Sequence, residues 1–223
     1  MRFNYWQTLT EGSYYHIYNR TINQETLFKD YPDRHYFLKQ WHSYLGNYLD
    51  TYAYCLMANH FHFIVQVKTV DNHFRDSVRK ENTVAAVSFL NNEKDLNTFL
   101  EDQFKRFFSS FAHTFNKKYK RHGSVFQKRF KRIELVTLAQ ILNKICYTHH
   151  NPLHHNAAYE YVAWEFSSYK AYISNKITKV NRTEGLKLFD ELGRVDTFIS
   201  YHKGFHENWV QDQKWRDFHE KGF

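Results

Sequence analysis

The chain has little of what interrupts or staples a fold. Only 2 Pro and 7 Gly stand among 223 residues, so no flexible linker or low-complexity tract divides it. With 2 Cys, Cys55 and Cys146, both inside apolar patterns, a disulfide framework is excluded and buried, reduced thiols are expected. No apolar run approaches the roughly 18–20 residues of a bilayer-spanning helix. The opening Met1-Arg2-Phe3-Asn4-Tyr5-Trp6 lacks an apolar signal core and a small-residue cleavage site. A cytoplasmic protein is expected, with no membrane partner.

Acidic charge is also in short supply. Lys plus Arg number 31 against 23 Asp plus Glu, giving a net charge of +8. Aromatic residues are abundant, with 21 Phe and 17 Tyr. Positive charge attracts a phosphate backbone, and exposed rings stack unpaired bases at roughly 1–3 kcal/mol each. Nucleic acid is therefore the leading partner class, although most of the rings must build the core.

Local patterns predict an α+β fold. Ser13 to Arg20 reads as a first strand, rich in aromatic and β-branched residues. A helix follows from Asp33 to about Leu49. Thr51 to Met57 and His60 to Lys68 read as two strands around an Ala58-Asn59 turn. Val84 to His122 is helical, with Phe104, Phe107, Phe108, Phe111 and Phe115 at the spacing of a buried stripe. Gly123 is the expected stop. Val125 to Leu135 reads as a strand, and Thr137 to His150 as a helix ended by Pro152. The order β-α-β-β-α-β-α implies a mainly antiparallel sheet with flanking helices. Residues 1–172 are expected to form one domain. Residues 173–223 read as a C-terminal helical extension, with short helices near Thr183–Leu192 and Val195–His202 and a charged, aromatic tail.

Within that frame, Asn59-His60-Phe61-His62-Phe63 carries the first chemical signal. On a strand, His60 and His62 project from the same face about 6.5–7 Å apart, in reach of one divalent ion. On pattern alone they also read as two half-exposed polar residues. A helical wheel of 100° per residue supplies the second signal. Leu138, Ile141, Leu142 and Ile145 form one stripe; Tyr147 falls opposite its centre, and Lys144 and Asn151 share that outer side. Asn151 follows Tyr147 by one turn. A tyrosine near pKa 10 is a poor nucleophile unless its phenolate is favoured. Two imidazoles and an amide oxygen could hold Mg²⁺ or Mn²⁺ beside a phosphate, leaving Tyr147 to attack phosphorus. His149, His150, His154 and His155 are rival ligands by type, but histidines around a Pro turn are expected to face solvent.

Taken together, these stretches resemble the REP-associated tyrosine transposases, single-tyrosine enzymes with an HUH motif. Tyr54-Cys55-Leu56-Met57-Ala58-Asn59-His60-Phe61-His62-Phe63 is similar to their HUH region, and Tyr15-His16-Ile17-Tyr18-Asn19-Arg20 to their first strand. Val125-Phe126-Gln127-Lys128-Arg129-Phe130-Lys131 resembles their strand before the catalytic helix. Tyr147-Thr148-His149-His150-Asn151-Pro152 resembles their nucleophile segment, and Trp164-Glu165-Phe166-Ser167-Ser168-Tyr169 their closing pattern. The resemblance covers about residues 13–172. It departs at Ala58, where many relatives have Pro, and at Leu153–Ala157.

The resemblance implies a ferredoxin-like HUH domain that nicks and rejoins single-stranded DNA beside palindromic hairpins, through a 5′-phosphotyrosine on Tyr147. His60, His62 and Asn151 are then the expected ligands of Mg²⁺ or Mn²⁺. Arg20, Lys128, Arg129, Lys131, Arg132 and Lys144 are the expected DNA contacts. The protein would be a monomer or a homodimer, associated with the nucleoid when bound to DNA. Two other readings stay open: a non-catalytic single-strand binder of the same fold, and an HUH replication initiator or relaxase. No second tyrosine lies one turn from Tyr147, against two-tyrosine versions.

Overall fold

The structure, a computed structural model, describes residues 4–220. Residues 1–3 and 221–223, at the ends of the expected domain and tail, lie outside the described residues, as do the side chains after Asp212. Four strands form the frame: β1 (Tyr14–Arg20), β2 (Leu49–Leu56), β3 (His60–Val67) and β4 (Lys131–Leu135), in the order β2-β3-β1-β4 and antiparallel throughout. This is the α+β sheet that the alternating patterns predict.

Alternation sorts the strands' side chains onto two buried faces. Tyr15, Ile17, Phe61, Phe63 and Val65 join a large aromatic core with helices α1 (Tyr31–Leu45) and α4 (Leu96–Lys118). Asp30 caps α1, exchanging side-chain bonds with Asp33. Trp41 of α1 lies flat on Phe63 at 3.7 Å, and Phe104, Phe107, Phe111 and Phe115 are buried. On the basic side of α4 and just beyond its end, Arg106 pairs with Glu81, Lys118 with Asp30 and Asp33, and Arg121 with Glu25.

The opposite face carries Ala53 and Ile64 into a second core. There they meet α5 (Leu138–His154), the short α6 (Tyr169–Tyr172), α7 (Arg182–Phe189) and α8 (Val195–Glu220). The C-terminal segment therefore shares a core with the sheet, and α8 runs far beyond the His202 expected as its end.

Four expectations are corrected. First, the helical stretch from Val84 divides into α3 (Val84–Leu90) and α4, preceded by α2 (Asn72–Arg79), which the patterns missed. Asp95 accepts from the Thr98 N–H and starts α4 afresh. Second, α4 ends at Lys118, before Gly123, and Lys120 already has a φ of 50°. Third, the strand expected from Val125 begins only at Lys131. Arg129 has a φ of 60°, outside the extended region that a strand requires, and in the irregular segment before β4 Phe126 and Phe130 both turn to the α4 aromatics. Finally, Pro152 does not end α5, which continues to His154. So near the C-terminus its missing N–H removes one late bond, and the His155 N–H closes the last turn on the Asn151 carbonyl at 3.2 Å.

Candidate active site

Three residues stand directly opposite one another across the sheet: Lys131 on β4, Tyr18 on β1 and His62 on β3, with Arg20 opposite His60 two positions on. Helix α5 crosses this face but packs over Ile64 and Leu135. That leaves the row from Lys131 to His62 open as the floor of a cleft of about 400 Å³, with no Asp or Glu in its lining.

Tyr147 overhangs the floor from α5. Half-buried, it turns its ring edge-on to His62 at 6.0 Å and to His16 at 6.3 Å. One turn earlier, the Lys144 ammonium lies 4.5 Å from the centre of the Tyr147 ring. Burial lowers the pKa of Lys144 from the usual lysine range. One turn after Tyr147, Asn151 is fully buried and sets its Oδ1 3.3 Å from His60 Nε2. The outer side of the α5 wheel therefore faces the histidine row.

Both imidazoles are held neutral. Burial, then the charge of His155, lowers His60 to about 4; burial, then His16, takes His62 well below the usual range. Each neutral ring keeps one lone pair for a cation. His60 Nδ1 lies 2.8 Å from Asn59 Oδ1, so both of its nitrogens face oxygen acceptors. A neutral ring can donate to only one of them. At Asn151 the second contact is then lone pair against lone pair, with the amide Nδ2 buried and unpartnered. A cation between Nε2 and Oδ1, or an amide turned over to donate, resolves that clash. The donor set thus fits a divalent ion, although among the described residues no three His, Cys, Asp or Glu form a metal cluster.

The row also contains a residue that sequence reasoning missed. Buried His16 places Nε2 2.8 Å from His62 Nδ1, the rings stacked at 5.0 Å. If His62 Nδ1 donates, its Nε2 keeps the lone pair, the usual service of an outer-shell partner. Burial, then Lys144, lowers His16 to about 3. The period-two spacing of His16 and Tyr18 on β1 was the available signal.

Histidines 149 and 150 do not face solvent, contrary to expectation, because α8 covers that side of α5. Both are fully buried. His149 bonds His202 Nε2 at 2.8 Å and Ser168 Oγ at 2.7 Å; His150 Nδ1 meets the Cys146 carbonyl at 3.1 Å. Nearer the cleft, the His154 ring lies 5.1 Å from that of Tyr147, and the His155 ring 4.5 Å from that of His60. Among the expected DNA contacts, Arg20, Lys128 and Arg129 are exposed and Lys131 lines the cleft. Arg132 departs from that expectation: it is buried, ion-paired to Glu101 and bonded to the Gln7 carbonyl.

No family model matches the chain, and no curated protein does. Among solved structures it is similar to that of a REP-associated tyrosine transposase bound to a REP hairpin. The TM-score is 0.51 at 14% identity, over 78% of this chain and 87% of that one. The likeness is one of fold: the four-stranded antiparallel sheet with flanking helices is the transposase's architecture. Among the described residues no helix is long and apolar enough to cross a membrane.

Proposed function

We propose that the protein is a single-stranded DNA transposase and endonuclease with Tyr147 as its nucleophile. The observation that carries this reading is that two distant segments meet, His60 against Asn151 and His62 against Tyr147, at an acid-free cleft lined by His60, His62 and Tyr147. The fold likeness supports it, and the hairpin bound in that relative points to single-stranded DNA beside a palindromic hairpin as substrate. The residues of the proposed site all lie within the expected domain of residues 1–172, and residues 173–223 pack into the second core behind it.

Tyr147 gives up its phenolic proton and attacks phosphorus. A Tyr147–phosphorus bond forms as the bond to the 3′ oxygen breaks, and that oxygen takes up a proton. The products are a 5′-phosphotyrosine and a free 3′-OH, whose return attack rejoins strands without ATP. Mg²⁺ or Mn²⁺, held by His60, His62 and Asn151, would polarise the phosphate and balance its growing charge. His60 and His62 stay neutral to keep their lone pairs, His16 orients His62, and Lys144 holds positive charge against Tyr147.

A non-catalytic single-strand binder would use the same surface without chemistry. Labelled hairpin DNA with an unpaired flank, incubated with Mn²⁺ or Mg²⁺ and run under denaturing conditions, separates the two. A covalent adduct that disappears in Tyr147→Phe and with EDTA is expected. Binding without an adduct selects the binder, and an adduct in Tyr147→Phe removes Tyr147 from the role.

A further inference from the structure

The row that floors the cleft continues past the sheet. Outside β4, the Arg132 N–H donates to the Tyr5 carbonyl at 2.8 Å, and Trp6 bridges Arg132 in parallel register. Side chains follow the backbone outward. The Tyr18 ring lies nearly parallel to His62 at 5.5 Å. Lys131 Nζ stands 5.5 Å from the centre of the Tyr18 ring and 4.8 Å from that of Tyr5. Beyond them, the Arg129 guanidinium lies 5.7 Å from the ring of Trp6, which is 43% exposed. From His62 to Tyr5 the row runs ring, ring, cation, ring over about 14 Å, three inter-strand spacings.

Charge on this shelf is left unanswered. Elsewhere Arg106, Lys118, Arg121 and Arg132 pair with carboxylates. Among the described residues, Arg20, Arg129 and Lys131 have no such ion pair, and no acid lines the cleft beside them. Un-neutralised cations between flat rings suit a polymer that alternates phosphates with aromatic bases.

We propose that Tyr18, Lys131 and Tyr5 form a platform for the unpaired DNA strand next to the cleaved phosphate, with bases on the tyrosine rings and a phosphate at Lys131. This rests on the reading of Tyr147 as nucleophile only for where the strand enters the cleft.

Fluorescence anisotropy with a short, labelled, unpaired DNA strand tests the platform in the full chain. Tyr5→Ala is expected to weaken binding roughly 5- to 150-fold, one lost stacking contact. Lys131→Met should reduce the log–log salt slope by about 0.7, one phosphate contact to a single strand. Wild-type affinity and salt slope in both variants would overturn the platform. Photo-crosslinking of a 5-iodouracil strand to the unmutated protein keeps the test independent of variant folding. Crosslinks at Tyr5 or Tyr18 support it, and crosslinks confined to other faces refute it. If Tyr147 forms no adduct while Tyr5→Ala still weakens binding, the platform stands and the nucleophile assignment fails.

Discussion

His60 Nε2 and Asn151 Oδ1 stand 3.3 Å apart, an imidazole on a strand against an amide one helical turn beyond Tyr147. Divalent-ion affinity should depend on both. His60→Ala and Asn151→Ala are each expected to weaken Mn²⁺ binding by at least the roughly 10- to 100-fold that loss of an outer-shell partner causes. Asn151→Asp, which keeps an oxygen donor and adds charge, should retain it. Calorimetric titration of the DNA-free protein reads this directly; unchanged affinity in Asn151→Ala would remove the amide from the ligand set.

His16 should matter without touching the metal. His16→Phe keeps a ring but ends the contact to His62 Nδ1. A roughly 10- to 100-fold loss of Mn²⁺ affinity is expected with the fold intact by circular dichroism. The imidazole ¹⁵N shifts of His62 should then show a mixture of tautomers where the unmutated protein shows one.

Acid should unfold the protein over a defined window. Burial lowers His16 and His150 to about 3 and His202 to about 4, and takes His149 well below its usual range. In the unfolded chain such residues titrate near 6.5. Above that pH they are neutral in both states. As pH falls from 6.5 towards 4, the unfolded chain binds protons that the native one refuses. Stability drops by up to about 1.4 kcal/mol per pH unit for each histidine. Urea denaturation at a series of pH values should show this slope, and His150→Phe should lower it by about one proton.

The aromatic core sets the largest single losses. Phe107 is fully buried against Phe37 and Trp41. Phe107→Ala is expected to cost about 3–5 kcal/mol by urea denaturation. A loss below 1 kcal/mol would mean that the core rearranges to close the cavity.

Much of this architecture was legible where a single periodicity governed. Period two marked β1, β2 and β3 and put His60 and His62 on one face; the 100° wheel put Tyr147 and Asn151 on one side of α5. What escaped depended on contacts between distant segments. A wheel with one apolar stripe cannot show that α8 buries His149 and His150, and Arg132 looks like any cation in a basic run until Glu101 closes on it. Helix breakers misled in both directions: Pro152 lies inside a helix, and Gly123 beyond one. That the strand bearing His60 meets the helix bearing Tyr147 was likewise a relationship no local pattern could supply.

Helix α5 carries Tyr147 and Asn151 on a single rigid rod, bolted through His149 to His202 of α8. A tilt of that rod cannot move the hydroxyl without dragging the amide, so the two functions have no separate throttle. The His149–His202 contact thus ties α8 to the one helix that places both groups, and a change at that contact reaches the Tyr147 hydroxyl and the Asn151 amide together.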